Sequence, residues 1–136
     1  MLIVRDIPLT KLRQAVFDVI KNNQTHKVYG VVPNEASLPY ILIGALTFKP
    51  DISKTSLTWL ASQTVHCYAD TKDLPTCNEM MEDVATIITG MYESLVIDGY
   101  KVIDCELDLA ESFEEEDHAY HGVLTFLFSL AKIKKE

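Results

Sequence analysis

The sequence is poor in the residues and motifs from which common enzyme sites are built. It holds five glycines and three cysteines among 136 residues. None of the patterns GxxxxGK(S/T), GxGxxG, GxSxG or HExxH occurs in it. Five glycines are too few for a loop that cradles phosphate, and a row of carboxylates on an alternating strand is typical of a solvated face. The sequence therefore predicts a protein that is not an enzyme and needs no cofactor.

The cysteines and histidines lack the spacing of a metal site. The candidate ligands are three cysteines and three of the four histidines: Cys67, Cys77, Cys105, His66, His118 and His121. No CxxC pair occurs, and the adjacent His66 and Cys67 point to opposite faces of a predicted strand, so both cannot bind one zinc ion. Cys67 and Cys105 fall on apolar strand faces. Cys77 lies at a helix start but has no base beside it, so we expect three inert thiols.

Basic residues and long apolar runs are also scarce. The chain has 12 Lys and Arg against 20 Asp and Glu, and this net charge of −8 disfavours a protein that binds nucleic acid. The strongest apolar runs, residues 38–46 and 123–131, fall short of the roughly 18 residues that cross a bilayer, so no membrane partner is expected. With 48% hydrophobic residues and no linker, residues 1–136 are predicted to form a single domain.

Two segments have the apolar spacing of helices that pack on a core. The first lies between Pro8 and Asn22 and repeats its apolar residues at i, i+3, i+4, i+7 and i+8: Leu12, Ala15, Val16, Val19 and Ile20. The second follows the residues TCNE at 76–79, which have the form of a capping box with Thr76 as the N-cap. It is predicted to end at the turn formed by Asp98 and Gly99.

Five segments have the patterns of strands: residues 27–32, 40–46, 57–68, 103–109 and 123–130. Residues 57–68 and 103–109 alternate polar and apolar side chains, which predicts strands with one buried face. The predicted fold is α+β, in the order α-β-β-β-α-β-β. Because short turns join antiparallel strands, we expect an antiparallel sheet of about five strands with both helices packed on one face.

Three surface features predict contacts with other proteins. The last strand is apolar on both faces, so it is either central in the sheet or in contact with another subunit. A predicted loop with apolar tips is the first candidate for a contact: Thr47, Phe48, Lys49, Pro50, Asp51, Ile52, Ser53 and Lys54. Seven carboxylates form an acidic strand face and a solvated turn: Asp104, Glu106, Asp108, Glu114, Glu115, Glu116 and Asp117. The opposite face of that predicted strand is apolar and carries Ile103, Cys105, Leu107 and Leu109.

Four strand segments have the order and composition of a known family. They read KVYGVVP (27–33), LPYILIG (38–44), VHCY (65–68) and HGVLTF (121–126). With the two helices and the Asp-Gly turn, the chain resembles the tail-completion proteins of long-tailed phages with non-contractile tails. These are also called tail terminator or tail-to-head joining proteins. The resemblance covers nearly the whole chain and consists of strand and turn patterns, with no catalytic residues.

The resemblance implies a virion protein that forms a hexameric ring on the tail tube, ends its growth and presents the surface to which the DNA-filled head docks. Its implied partners are the tail tube protein, the head-completion (connector) protein and other copies of itself. The implied location is the head-proximal end of the virion tail and, during assembly, the host cytoplasm. The free subunit is either a monomer or already a ring. We expect the loop 47–54 to contact the tube or a neighbouring subunit.

The acidic balance has a possible use in such a ring, because DNA passes through the channel without specific binding. The carboxylates of the strand face or of the turn are therefore candidates for the channel lining, with an ordinary solvated surface as the other interpretation. The alternative function is a small acidic adaptor or inhibitor that binds a host partner and is not an enzyme.

Overall fold

The computed structural model describes Val4 and residues 6–53, 57–115 and 119–133. These residues form a five-stranded sheet and two α-helices, with one additional turn of 3-10 helix at Tyr92–Ser94. The elements are α1 (Leu9–Asn23), β1 (Lys27–Tyr29), β2 (Tyr40–Pro50), β3 (Thr58–Asp70), α2 (Leu74–Met91), β4 (Tyr100–Glu114) and β5 (Ala119–Lys132). The predicted α+β class, with five strands and two helices, is confirmed.

The sheet is mixed, and the prediction of a purely antiparallel sheet is wrong. Its strand order is β1-β2-β3-β5-β4, and β1 pairs with β2 in parallel, with Lys27 opposite Tyr40. The other three pairs are antiparallel. The prediction assumed a short turn after β1. Residues 30–39 instead form a connection long enough to return the chain to the end of the sheet where β1 began.

One face of the sheet packs against both helices. α1 contacts β1 and β2, whereas α2 contacts β3, β5 and β4. The helix stripe predicted for α1 is buried at four of its five positions: Leu12, Ala15, Val16 and Ile20. β5 is central, between β3 and β4, and buries four large side chains against the helices: Leu124, Phe126, Phe128 and Leu130. We call the other side of the sheet the open face, because no helix of the described chain covers it.

The start of α2 differs from the predicted capping box. The N-cap is Asp73, whose carboxylate accepts hydrogen bonds from the backbone N–H of Thr76 at 3.3 Å and from its hydroxyl at 2.7 Å. Thr76 is therefore a donor to the cap and lies inside the helix. Pro75 fits the first turn because its missing N–H has no helical partner there. α2 ends earlier than predicted, and Gly99, with φ of +85°, turns the chain into β4.

A β-bulge in β2 keeps its apolar side chains on the buried face. Ile43 and Leu46 pair with positions only two residues apart in β3, so β2 carries one extra residue at Gly44 and Ala45. A regular strand would place Leu46 on the face opposite to that of Ile43, because side chains alternate. The bulge therefore lets both halves of β2 contribute to one core.

Two side chains bind the carbonyl groups around this bulge. The Arg13 guanidinium of α1 donates to the carbonyls of Gly30, Ile43 and Gly44 at 2.6 to 2.8 Å. The side-chain amide of Gln63, which is fully buried, donates to three carbonyls from the sheet side, including that of Gly44 at 3.1 Å. Side chains from α1 and from β3 together therefore donate hydrogen bonds to the backbone carbonyls of the bulge.

Two irregularities in β4 divide the predicted apolar row of Ile103, Cys105, Leu107 and Leu109. The register against β5 shifts after Val102 and again after Leu107. Each shift inserts one residue and moves the following side chains to the other face. Cys105 and Leu107 face the helices, opposite buried phenylalanines of β5, whereas Leu109 lies on the open face.

We predict that Gly44→Ala destabilises the protein by about 1–3 kcal/mol. A Cβ at this position would lie 2.6 Å from Nε2 of His66 and 3.1 Å from the carbonyl oxygen of Thr64. The matched control is Gly90→Ala in α2, where nothing lies within 4 Å of the new methyl group, and where alanine should stabilise the helix by about 0.5–1 kcal/mol. Urea unfolding measures both changes in the free energy of unfolding. A Gly44→Ala variant as stable as the wild type would contradict the close contact of residue 44 with His66 and Thr64.

Candidate functional site

One ring from each strand lines up across the open face. In sheet order the rings belong to Tyr29, Tyr40, Tyr68, His121 and Phe113, and neighbouring centroids lie 5.6, 5.2, 4.2 and 4.9 Å apart. We call this row the ring ladder. Aromatic side chains of this kind often dominate protein interfaces. The ladder is not visible in the sequence, because it depends on the register of all five strands.

His121 is the centre of a hydrogen-bonded group in the ladder. It is 7% exposed, its Nδ1 contacts the Glu115 carboxylate, and its Nε2 lies 2.8 Å from Nδ1 of His66. In the neutral pair, His121 donates its Nδ1–H to the carboxylate, so its Nε2 accepts the Nδ1–H of His66. Burial and then the adjacent His121 lower the pKa of His66, an effect that Glu115 opposes. The alternating pattern predicts His66 on the polar face of its strand, but nothing in the sequence predicts that His121 is its hydrogen-bond partner.

The opposite end of the open face contains a groove of about 480 Å³. Lys49 of β2 lies on one wall and Asp104 and Glu106 of β4 lie on the other. The floor between them is formed by β3 and β5 and includes the apolar Leu60 and Leu127. Residues from both predicted contact regions therefore meet on one surface, which can receive a segment with mixed apolar and charged groups.

The predicted contact loop 47–54 is in large part a strand, so its predicted start is wrong. Its first four residues end β2, namely Thr47, Phe48, Lys49 and Pro50. Asp51, Ile52 and Ser53 form the turn, and Lys54 lies outside the described residues. β2 extends this far because Phe48 packs on Trp59 at the margin of the core, with centroids 5.8 Å apart. Ile52 is the exposed apolar residue of this tip, with 91% of its surface accessible.

The predicted acidic strand face is likewise divided. Asp104 and Glu106 pair with residues of β5 that face away from the helices, so both lie on the open face. Asp108 lies at the irregularity between Leu107 and Leu109 and does not continue their row. The alternating pattern in the sequence does not show such an insertion, which changes the side on which a carboxylate lies.

The predicted acidic turn begins later than expected. Glu114 is the last residue of β4, because pairing with β5 continues to that position. Glu115 follows the strand, with its carboxylate against His121. Glu116, Asp117 and His118 lie outside the described residues.

Comparison with known proteins identifies the family. The family described as Tail completion protein gp17 matches residues 10–130. The chain belongs to this family. Its fold is similar to that of a chain in the solved virion of a native gene transfer agent particle, with a TM-score of 0.77, 16% identity, and coverage of 88% of this chain and 94% of that chain. No curated protein sequence matches it significantly.

Membership of the tail completion family confirms the resemblance seen in the sequence. It makes this chain a structural protein of a phage-type virion tail. The likeness to the gene transfer agent chain concerns the fold, and it extends over nearly all of both chains. For a tail completion protein, we treat the ring ladder, the groove and the tip at Ile52 as candidate surfaces for contact with other virion proteins.

The thiols of this tail completion protein are poorly suited to nucleophilic chemistry. Burial raises the pKa of Cys67 and Cys77, and it raises the pKa of Cys105 to about 12. A thiol that stays protonated is a weak nucleophile. Within the described parts of the chain, no three His, Cys, Asp or Glu side chains converge as metal ligands. None of the described helices is both long and apolar enough to span a bilayer.

We predict that replacing His66 makes the stability less sensitive to acid. The pKa of His66 is below its usual 6.5 in the folded protein. The unfolded chain therefore takes up this proton first as the pH falls, and the folded state loses stability below that usual value. The melting temperature of His66→Gln should fall less than that of the wild type between about pH 7 and pH 5.

The control for this experiment is His26→Gln, which removes a histidine that lies outside the ladder. Thermal unfolding followed by circular dichroism gives both profiles. If His66→Gln and the wild type lost the same number of degrees across this range, the account of the His66–His121 pair would be wrong.

Proposed function

We propose that the tail completion protein forms a hexameric ring that caps the tail tube and provides the interface at which the tail joins the DNA-filled head. The family match over residues 10–130 carries this proposal, and the likeness of fold to a chain of a gene transfer agent virion supports it. The partners in this role are the tail tube protein, the head-completion protein and further copies of the chain. The ring lies at the head-proximal end of the tail, after assembly in the host cytoplasm.

The surface of the subunit fits this role, because a ring subunit needs different contacts for its two neighbours and for the two ends of the ring. The side chains of β3 and β5 on the open face are mostly half-buried, although no described helix covers them. They include Leu60, Val123 and Leu127. A face of this composition, with the ring ladder at one end, has the mixture of apolar and aromatic groups found in the cores of protein interfaces.

We assign the contact with the tube to the tip between β2 and β3. Ile52 is 91% exposed at this tip. Burying an isoleucine side chain stabilises a contact by about 1.5–3 kcal/mol, and six copies in a ring would multiply this effect at one tube end. Phe48, by contrast, packs against Trp59 within the subunit and is assigned no contact.

Tube capping tests the proposal. Purified protein is mixed with cognate tail tubes that lack heads, the tubes are pelleted, and their ends are imaged before and after purified heads are added. We expect a ring at one end of each tube and attachment of heads to that end. Wild-type protein that stays in the supernatant would contradict the ring function and favour the alternative of an adaptor or inhibitor with a host partner.

Two substitutions in the same assay test the tip. Ile52→Asp should fold with an unchanged melting temperature and fail to cap tubes, because a carboxylate replaces the apolar contact. Val96→Asp is the matched control, since Val96 is 87% exposed and follows the 3-10 turn, outside the tip segment. Equal capping by Ile52→Asp and the wild type would contradict the assignment of the tube contact.

We also propose that Asp104 and Glu106 line the channel of the ring, where carboxylates repel passing phosphates. Reversing both charges, Asp104→Lys with Glu106→Lys, should slow DNA ejection without blocking assembly, because lysines attract the DNA backbone. The control pair is Glu79→Lys with Glu93→Lys, at exposed positions of α2 and of the 3-10 turn. A fluorescent dye that reports released DNA measures the rate; unchanged ejection by the first pair would refute the lining.

A further inference from the structure

β4 is a long edge strand with one side unpaired. It has 15 residues and pairs only with β5 among the described strands. Every side chain from Glu106 to Glu114 is exposed. Three of these are large and apolar, with Leu107 on the helix side and Leu109 and Phe113 on the open face. Unpaired backbone groups on such an edge recruit another chain unless something blocks them.

The two ends of the sheet carry opposite charge. Residues 108–115, the outer part of β4 with Glu115, contain four carboxylates and no Lys or Arg, and we call them the acidic edge. At the other end, residues 9–32 contain four Lys or Arg and one carboxylate. We call this region, which includes α1 and β1, the basic edge. Its Lys21 and Lys27 are exposed and form no ion pair with a described residue.

Electrostatic complementarity determines which surface can bind the acidic edge. Two acidic edges that faced each other would bring carboxylates together, and like charges across a contact oppose binding. The basic edge of a second copy offers the complementary charge. It also offers an apolar side chain, because Val31, which follows β1, is 86% exposed. A contact between two different patches is heterologous, as a closed ring requires.

We propose that the acidic edge of each copy docks against the basic edge of the next copy. This proposal rests on the proposed ring and names the surfaces through which its neighbours touch. A groove of about 320 Å³ runs between α2 and the outer half of β4 and is lined by Met81, Ala85, Leu107 and Ala110 among others. This groove accepts an apolar side chain of the neighbour, while the carboxylates of the acidic edge face its lysines.

Two charge-reversal variants test the docking on tail tubes. The first carries Glu111→Lys with Glu114→Lys, which changes the net charge of residues 108–115 from −4 to 0 and places two lysines opposite the basic edge of the next copy. The second carries Lys21→Glu with Lys27→Glu, which changes the net charge of residues 9–32 from +3 to −1, so both of its edges are acidic. Each variant alone should cap at least roughly tenfold fewer tube ends than the wild type at low salt. A 1:1 mixture should restore capping, because alternating subunits place the reversed positions 111 and 114 opposite the reversed positions 21 and 27, so that unlike side chains meet again at these positions in an even-numbered ring.

The controls separate this inference from the ring function. Glu79→Lys with Glu93→Lys makes the same change of charge elsewhere and should cap like the wild type. Salt of about 1 M, which shortens the screening length to about 3 Å, should reduce the gap between each variant and the wild type. If the wild type caps tubes but the two variants also cap when alone, or stay inactive when mixed, the docking proposal is overturned while the ring function stands.

A measurement without tubes covers the case in which the wild type does not cap. Normal and ¹⁵N-labelled wild-type chains are mixed at high concentration and treated with a carbodiimide, which joins a lysine to a carboxylate in direct contact. Mass spectrometry should find mixed-isotope links between Lys21 or Lys27 and the carboxylates of the acidic edge. Finding no such mixed-isotope links would overturn the docking proposal independently of any tail tube.

Discussion

Arg13 joins the helix layer to the sheet at the one point where β2 departs from regular pairing. Its guanidinium donates to three carbonyls that no regular ladder would satisfy together, and hydrogen bonds from a charged group are worth about 1.5–3 kcal/mol each. The bulge that it holds keeps Leu46 and Phe48 on the core side of β2. Gly44 within the bulge leaves the space in which the His66 imidazole contacts His121. The core and the ring ladder therefore depend on the same local geometry.

The two faces of the sheet differ in burial and in composition. The helix side buries the large apolar residues of β5 and closes the core of the subunit. The open face presents the ring ladder at one end and a groove with Lys49, Asp104 and Glu106 at the other. The acidic and basic edges lie at opposite ends of the sheet order. A subunit with one closed face, one half-buried open face and two oppositely charged edges has the surfaces that assembly into a ring requires.

The sequence predicted those features that depend on local periodicity. The stripe of Leu12, Val16 and Ile20 is buried in α1, and the alternation along β3 gives its two faces correctly. Features that depend on a single inserted residue were not predictable, because one residue reverses the face of a strand. This is why Leu109 lies on the open face and why Asp108 leaves the row of Asp104 and Glu106. The ring ladder was missed for a related reason, since only the complete register aligns its five rings.

Electron cryo-microscopy of the capped tube end would show whether this chain builds a ring from unlike edges of identical subunits. We predict a sixfold ring at the head-proximal end, with β4 of each subunit beside α1 and β1 of the next. A tube end without a ring would contradict the function. A ring in which β4 meets β4, or in which β4 is exposed to solvent, would contradict the arrangement derived from the charges and the free edge.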